Sequence, residues 1–486
     1  MVLSKIKLNK ELLCAGIFSV MTATVLLLIC SKNSPLYLIN DWTDVSVMFT
    51  NGRRMLKGQV LYKDFYEHKG LYYCFLFELS AFINSHMFIG VYLIEVISIS
   101  VFLFFSYRTW RLFYEEIRYI YIIFFGALFI SSKPFIKGGS AEELVLPFMM
   151  IALYILLKNL HEDKTLEDIS KKSWLLMGVF TGIIFWIKYT LCIYFVGICI
   201  YIGIYMCMKK NFFELVKISF LWFLGMVISS IPAVVYFTVN NAWTDLIHVY
   251  GYNLIFAYDV KSGSGGVVLI IIMLIVYPIF LISGIIALKK KIFNKKENAL
   301  LILLFFTNCS YYIFISLKCN YVLLIFMELF ATWFLGIISI LDRYYKKYME
   351  GKVRQVMVIT IVLLGTYIMS PNTEDIGKSR EHYVFYRYAD IIKKESDATL
   401  LVYDAYEEGF YFASDIIPDY KYITDYNIKL DEIKEDIEGI VSRKDATFVI
   451  TVNEKPDEVS LNYNLLNKEK YKSENEVKAY YLWKRK

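Results

Sequence analysis

Long apolar runs recur along the first three quarters of the chain, and short polar segments rich in lysine separate them. A helix needs about 20 apolar residues to cross a hydrocarbon core that is about 30 Å thick. The pattern therefore predicts an all-α polytopic membrane protein with about 11 transmembrane helices. We place the spans at 12–30, 88–106, 119–132, 142–158, 174–188, 189–208, 218–239, 266–288, 298–317, 321–341 and 355–369.

The pattern changes after residue 370. Helical stretches at 381–397 and 430–444 alternate there with strand-like runs at 399–403 and 446–452. This alternation predicts a small α/β domain. We therefore predict a membrane domain at 1–370, which includes a long loop at 31–87, and a soluble domain at 371–486.

Composition and charge agree with this division. Hydrophobic residues make up 57% of the chain and charged residues 20%, against about 45–50% and about 25% in soluble proteins. Residues 1–370 hold 34 Lys and Arg against 22 Asp and Glu, and residues 371–486 hold 18 against 24. A basic membrane portion followed by an acidic tail marks a domain boundary and gives no reason to expect nucleic-acid binding.

The distribution of lysine and arginine predicts the topology. With the N-terminus in the cytoplasm, the N-terminus and the inside loops hold 23 Lys and Arg, and the outside loops hold 11. This asymmetry follows the positive-inside rule. We expect the first span to be retained, and the loop 31–87 and the C-terminal domain to lie outside the cytoplasm.

The first outside loop gathers groups that can do chemistry beside an apolar body. Asp41 and Asp44 fall on one face if the segment is helical from Asp41, since they are three residues apart. Arg53 and Arg54 follow, and then the run Glu67-His68-Lys69-Gly70. The alternative is an ordinary solvated loop in which Asp41 caps a helix.

The second outside loop adds two acids. It reads Lys137-Gly138-Gly139-Ser140-Ala141-Glu142-Glu143 at the start of a predicted span. Acids suit a helix N-terminus and Ser140 can cap it, but a cap needs only one acid. Adjacent helical residues point about 100° apart, so we expect only one of Glu142 and Glu143 to face a site.

Together these motifs resemble a known family. The run from Asp44 to Gly70 resembles the first periplasmic loop, and Gly138 to Pro147 the second-loop acidic motif, of bacterial GT-C fold membrane glycosyltransferases. These belong to the superfamily of dolichyl-phosphate-mannose protein mannosyltransferases and aminoarabinose transferases. Leu71 departs from the pattern, since relatives often have proline there, and so does Lys318-Cys319-Asn320-Tyr321. The subfamily and the donor stay open.

The resemblance implies transfer of a sugar from a polyprenyl-phosphate donor to an acceptor glycan, lipid or protein at the outer face, with inversion at the anomeric carbon. Asp44 is then the candidate catalytic base, and Glu142 or Glu143 orients the acceptor or helps to hold the base. We expect both motifs to serve one active site. The candidates for contact with the donor phosphate or sugar are Arg53, Arg54, His68, Lys69, Lys137 and Lys188.

The lipid-linked sugar is the only small molecule that this interpretation requires. A divalent metal held by the loop acids stays open, although no His/Cys cluster points to one. The expected location is a bacterial plasma membrane, and the expected process is synthesis of a cell-wall or other surface polysaccharide.

Two other classes of protein fit parts of the pattern. A transporter or flippase of lipid-linked sugars needs the same apolar groove and cations, but it predicts ionisable residues along a midplane path and often inverted repeats. The acids cluster instead in outside loops, although Glu95 and Glu328 lie within predicted spans. A sensor or assembly factor needs fewer spans for anchoring and ranks last.

Overall fold

The computed structural model describes residues 2–257, 277–316, 323–345, 351–424, 426, 430–473 and 476–486. The chain divides into two compact units. The first consists of Met1–Ser31, Tyr92–Pro232 and Val260–Glu374, and the second of Lys32–Val91, Ala233–Asp259 and Asp375–Lys486. The second unit thus contains the C-terminal segment together with the long first loop. The predicted boundary after residue 370 stays a prediction.

The first unit is helical. Its apolar runs form long helices because they are rich in Leu, Ile and Phe and contain few breakers. The α-helices that lie in it or start or end in it are Val2–Cys30, Ile89–Phe113, Ile120–Ile130, Ala141–His161, Lys171–Lys188, Ile193–Met208, Phe212–Val239, Pro278–Lys289, Lys295–Ser316, Met327–Trp333, Leu335–Tyr344 and Lys352–Met369. Short 3₁₀ helices are found at Lys133–Phe135, Leu166–Asp168, Tyr189–Cys192, Leu323–Phe326 and Pro371–Asp375.

Within the described residues, six helices are long and apolar enough to cross a membrane. There are seven if Leu324–Trp333 and Leu335–Tyr344, which meet at an angle of 46°, form one span. The chain is thus a multi-pass membrane protein, and the predicted count of about 11 is larger. Part of the difference arises because the predicted spans 174–188 and 189–208 fall in one stretch, Lys171–Met208. Ile120–Ile130 and Pro278–Lys289 are shorter apolar helices, and residues 266–276 lie outside the described residues.

Small residues allow two of the long helices to pack closely. Gly178 and Gly182, four residues apart on helix Lys171–Lys188, face helix Phe212–Val239. A Cβ at Gly178 would overlap the carbonyl oxygen of Trp222, and a Cβ at Gly225 would overlap that of Leu175. Such small-residue faces let backbones approach in membranes, where apolar side chains gain nothing by leaving lipid.

The second unit combines helices with one sheet. Its helices are Thr43–Leu56, Leu71–Ile83, Trp243–Leu246, the π-helix Ile247–Ala257, the 3₁₀ helix Arg380–His382, Val384–Ile392, Phe410–Ser414, Asp431–Arg443 and Asp457–Asn462. The strands are β1 (Leu400–Val402), β2 (Phe448–Val452), β3 (Tyr463–Ser473) and β4 (Glu476–Arg485).

The sheet is mixed, with the strand order β1-β2-β4-β3. β1 pairs with β2 in parallel, with Leu401 opposite Val449. β4 pairs antiparallel with both β2 and β3, and a bulge at Leu466 shifts the register of β3. The predicted strands at 399–403 and 446–452 are therefore confirmed as β1 and β2. The β3–β4 hairpin has no counterpart among the predicted strands.

The close helix contact at Gly178 makes a prediction for stability. We expect Gly178→Ala to lower the thermal midpoint of unfolding in detergent, because the added methyl forces two backbones apart at a cost of about 1–3 kcal/mol. Gly203→Ala is the matched control, since a Cβ at Gly203 meets no atom within 4 Å. Equal midpoints for the two variants would contradict the close packing.

Candidate functional site

The helix Thr43–Leu56 carries the candidate base. Residues Val45 to Met55 are buried, whereas the side chain of Asp44 in the first turn is 42% exposed. The helix begins at Thr43, two residues later than the predicted start at Asp41. Trp42 is the N-cap residue and makes no side-chain cap, so the alternative in which Asp41 caps the helix is wrong.

Asp44 lies beside a buried lysine. The Nζ of Lys69 is 3.1 Å from Oδ1 of Asp44, and the side chain of Lys69 is only 4% exposed. The ammonium group also lies over the ring of Tyr73, 5.7 Å from its centroid. Tyr62 donates a hydrogen bond of 2.8 Å to the carbonyl oxygen of Lys69, which fixes the backbone at this residue. The structure therefore brings two of the predicted site residues into contact.

Glu67 organises the segment that carries Lys69. Its Oε1 accepts hydrogen bonds from the backbone N–H groups of His68 (2.9 Å) and Lys69 (3.2 Å). Its Oε2 accepts from Nδ2 of Asn51 at 3.1 Å. Asn51 lies two turns beyond Asp44 on the same side of the helix. Burial raises the pKa of Glu67, the nearby charge of Lys69 partly offsets this, and Asp44 adds to the rise.

His68 is partly exposed, at 21% of its side chain, and its Nδ1 is 3.2 Å from Oε1 of Glu67. The ring therefore contacts the same carboxylate that accepts from the backbone N–H of Lys69. Its predicted role toward the donor sugar or phosphate stays a prediction.

The two arginines of the loop are held by groups of the same unit. Arg53 forms an ion pair with Asp415, and burial lowers its pKa while Asp415 opposes this. Arg54 is fully buried and donates to Oε1 of Gln59 and to the carbonyl oxygens of Asp64 and Tyr420. Desolvation lowers the pKa of Arg54 to about 10. These contacts favour a structural role for both arginines, and donor binding by them stays a prediction.

Asp41 belongs to a buried ion cluster with Lys32 and Asp375. Nζ of Lys32 is 2.7 Å from Oδ1 of Asp41 and also pairs with Asp375. Burial alone would lower the pKa of Lys32, but the two carboxylates outweigh it and the pKa lies above its ordinary value. Asp41 is thus committed to an internal ion pair.

In the first unit, Ser140 and Glu143 shape the start of helix Ala141–His161. Ser140 Oγ accepts from the N–H of Glu143 at 3.1 Å, which confirms the predicted cap. Oε2 of Glu143 accepts from the N–H of Gly139 at 2.9 Å. Gly138 and Gly139 both have a φ of 83°, a conformation that favours glycine. A Cβ at Gly138 would also overlap Glu95 and Ser31, which explains the Gly-Gly pair.

Glu142 points to a different partner. Its Oε1 is 2.6 Å from Nζ of Lys188, the residue at which helix Lys171–Lys188 ends. Glu143 is fully buried, and Ser98 donates to its carbonyl oxygen at 3.1 Å. The two adjacent acids therefore have separate surroundings. Glu142 is the one that contacts Lys188, a residue predicted to bind the donor phosphate. Lys137 is buried, at 7% exposure.

The predicted site residues divide between the units. Asp44, Arg53, Arg54, His68 and Lys69 belong to the second unit, and Lys137, Glu142, Glu143 and Lys188 to the first. The expectation that both groups serve one active site stays a prediction. Among the described residues, no three His, Cys, Asp or Glu side chains come together as metal ligands.

Glu67 and Asn51 are not among the predicted site residues, although both contribute to the surroundings of Lys69. A signal was available for Glu67, because it is an acid directly before the His-Lys-Gly run on which the family resemblance rests. The pairing of Asn51 with Glu67 depends on the helix register and on tertiary contact.

The fold is similar to that of solved structures. Two of them are ArnT from Cupriavidus metallidurans in the apo state (TM-score 0.60) and bound to undecaprenyl phosphate (TM-score 0.58). Each match covers 98% of both chains at 9% sequence identity. The expected GT-C fold of the aminoarabinose transferase type is therefore confirmed as a fold. No protein-family model matches this chain, and no curated protein sequence does.

The buried position of Glu67 makes a prediction about pH. Because its pKa is higher in the folded state than in the unfolded state, its contribution to stability is full at low pH and is lost as the pH rises above the unfolded value. Glu67→Gln removes this titration, while the amide oxygen still accepts from the two backbone N–H groups. We expect the thermal midpoint of the wild type, relative to that of Glu67→Gln, to fall as the pH rises above about 4.3, the ordinary pKa of a glutamate carboxyl. Parallel curves for the two proteins would contradict the raised pKa.

Proposed function

We propose that this protein is a membrane glycosyltransferase that transfers a sugar from a polyprenyl-phosphate donor to an acceptor hydroxyl. Two findings support the proposal. The whole chain has the fold of ArnT, and one of the similar ArnT structures holds undecaprenyl phosphate. The contact of Asp44 with Lys69 is the observation that carries the chemistry, because it leaves a half-exposed carboxylate beside a buried cation.

Asp44 is the general base in this proposal. Its carboxylate takes the proton of the acceptor hydroxyl as the acceptor oxygen forms a bond to the anomeric carbon. The bond from that carbon to the phosphate oxygen breaks, and the polyprenyl phosphate leaves with the electron pair. Because one displacement occurs at the anomeric carbon, the configuration inverts. A sugar phosphate already has a good leaving group, so one base suffices.

Lys69 has two roles in the proposal. In the resting enzyme its ammonium group pairs with Asp44 and orients that carboxylate. During transfer the same cation stabilises the charge that develops on the leaving phosphate. Glu67 supports both roles indirectly, because it accepts a hydrogen bond from the backbone N–H of Lys69 and so fixes the position of that residue. Glu67 is therefore a positioning residue.

The second motif contributes Glu142 and Lys188. We propose that Lys188 contacts the donor phosphate and that Glu142 holds it in place, since the two side chains are 2.6 Å apart. Glu143 keeps the glycine loop in shape through Gly139. We propose a location in a bacterial plasma membrane, with the chemistry at the outer face and a role in surface polysaccharide synthesis.

Transfer and transport are separated by the fate of the sugar–phosphate bond. Purified protein is incubated with a panel of polyprenyl-phosphate sugars and candidate acceptors, and the released lipid phosphate is measured by mass spectrometry. Release that depends on an acceptor supports the proposal. A flippase of lipid-linked sugars would move the intact donor across vesicles without releasing lipid phosphate, and that result would replace the proposal.

The role of Asp44 makes a sharp prediction. We expect Asp44→Asn to lower kcat at least a hundredfold, in line with the loss of a general base, with little change in donor binding or thermal midpoint. Asp64→Asn is the control in the same loop, because the Asp64 side chain is exposed and accepts from the N–H of Val60, which an amide oxygen can also do. Near-normal turnover of Asp44→Asn would remove Asp44 as the base.

The ion pair of Glu142 and Lys188 allows a charge-swap experiment. Either single reversal places two like charges together in a partly buried position, and we expect a loss of about 3 kcal/mol in stability. The double variant Glu142→Lys with Lys188→Glu restores the pair, so the thermal midpoint recovers. Transfer does not recover, since the cation has moved away from the phosphate. Recovery of both would show that the pair is structural only.

A further inference from the structure

Two different sides of the helix that carries Asp44 contact other parts of the second unit. Asp44 and Asn51 are on the side that contacts Lys69 and Glu67. Ser46, Phe49 and Arg53 are spaced three and four residues apart and share another side. Each residue of this second side contacts the segment 407–415 of the C-terminal region.

The first of these contacts is a buried hydrogen bond. Ser46 Oγ donates to Oε2 of Glu407 at 2.6 Å, and both side chains are fully buried. The bond lies half a turn from Asp44. Because the helix N-terminus has no side-chain cap, this bond is a direct restraint on the first turn.

Glu407 is itself held firmly. Its Oε1 accepts from the N–H of Gly409 at 2.8 Å and from that of Tyr411 at 3.1 Å. Its own N–H donates to Oγ1 of Thr424 at 2.9 Å. Gly409 has a φ of 120°, and a Cβ there would overlap Ile39, so the segment is shaped to approach the first loop.

Two more contacts continue along the same side of the helix. The rings of Phe49 and Phe412 meet edge to face with centroids 5.7 Å apart. Arg53 pairs with Asp415 near the C-terminal end of the helix. The order 46, 49 and 53 on the helix thus matches the order 407, 412 and 415 in the C-terminal segment.

We infer that the segment 407–415 is a positioning element for Asp44, and that Ser46 and Glu407 are positioning residues which set the orientation of the first helical turn. This inference rests on the proposed function, since it concerns the same carboxylate. The segment 407–415 would thus influence catalysis through the orientation of Asp44, without touching donor or acceptor. A displacement of the first turn moves the base away from the acceptor proton, which lowers kcat and leaves KM largely unchanged.

The neighbouring glutamate provides a matched control. Glu408 is also buried and accepts a hydrogen bond of 2.5 Å from the hydroxyl of Tyr480, but both residues belong to the C-terminal region, and neither is on the helix of Asp44. Ser46→Ala and Tyr480→Phe therefore each remove one hydroxyl that donates to a buried glutamate. Only the first breaks a contact with the helix of Asp44.

The first test does not depend on catalysis. We expect amide hydrogen exchange in residues 43–48 to become about tenfold to a hundredfold faster in Ser46→Ala, the effect of losing a hydrogen bond to a charged group. Exchange there stays unchanged in Tyr480→Phe. Unchanged exchange in Ser46→Ala, or an equal increase in both variants, would overturn the inference.

The second test is kinetic. Ser46→Ala lowers kcat about tenfold with KM for the donor within about twofold, whereas Tyr480→Phe keeps both. Looser exchange with an unchanged kcat would overturn the positioning role. Absence of transfer by the wild type would count against the proposed function alone, because the exchange experiment still decides the contact. If Ser46→Ala does not fold, Glu407→Gln with Glu408→Gln as control repeats both tests from the other partner.

Discussion

The cost of burying charge is the constraint on which the second unit depends. An ionised group taken out of water costs several kcal/mol unless partners surround it closely. Each of the buried ions of this unit has such partners, and these contacts tolerate little displacement. The ions are Lys32, Asp41, Arg53, Arg54, Glu67, Lys69, Glu407 and Glu408. Several of these residues contact the helix Thr43–Leu56, and they do so on two sides. The half-exposed carboxylate of Asp44 is therefore held in one orientation without being buried itself.

The first unit meets a different constraint. Its helices are apolar enough to lie in lipid, so burial of Leu or Ile alone gives them little reason to associate. At Gly178 and Gly225 two helix backbones approach closely, and the resulting dispersion contacts stabilise the helix pair where the hydrophobic effect does not. The polar groups at the start of helix Ala141–His161 are then matched individually, with Ser140 on a backbone N–H and Glu142 on Lys188. One chain therefore uses two kinds of packing.

The sequence predicts what repeats along the chain and misses what depends on distant partners. Long apolar runs indicated the membrane helices, and the alternation of helical with strand-like runs indicated β1 and β2. The β3 strand was missed because Lys468, Lys470 and Lys472 alternate with partly buried residues and look like a solvated run. The spacing places Asp41 and Asp44 on one helix face, yet Asp41 is buried in a pair with Lys32 and Asp44 is half-exposed beside Lys69. Ser46 gave no signal, since its partner is 361 residues away.

The low identity to ArnT is consistent with this division of constraints. Lipid-facing positions need only be apolar, so nearly any exchange among Leu, Ile, Val and Phe keeps a helix in the membrane, and identity can fall to 9% while the fold persists. A fold so tolerant carries little information about chemistry. Function is therefore better inferred from groups whose positions are costly to change. Asp44, Lys69 and Glu67 are such groups. Lys69 and Glu67 are buried charged residues, and each would lose stabilising contacts if it moved. Their arrangement supports glycosyl transfer more strongly than the overall likeness does.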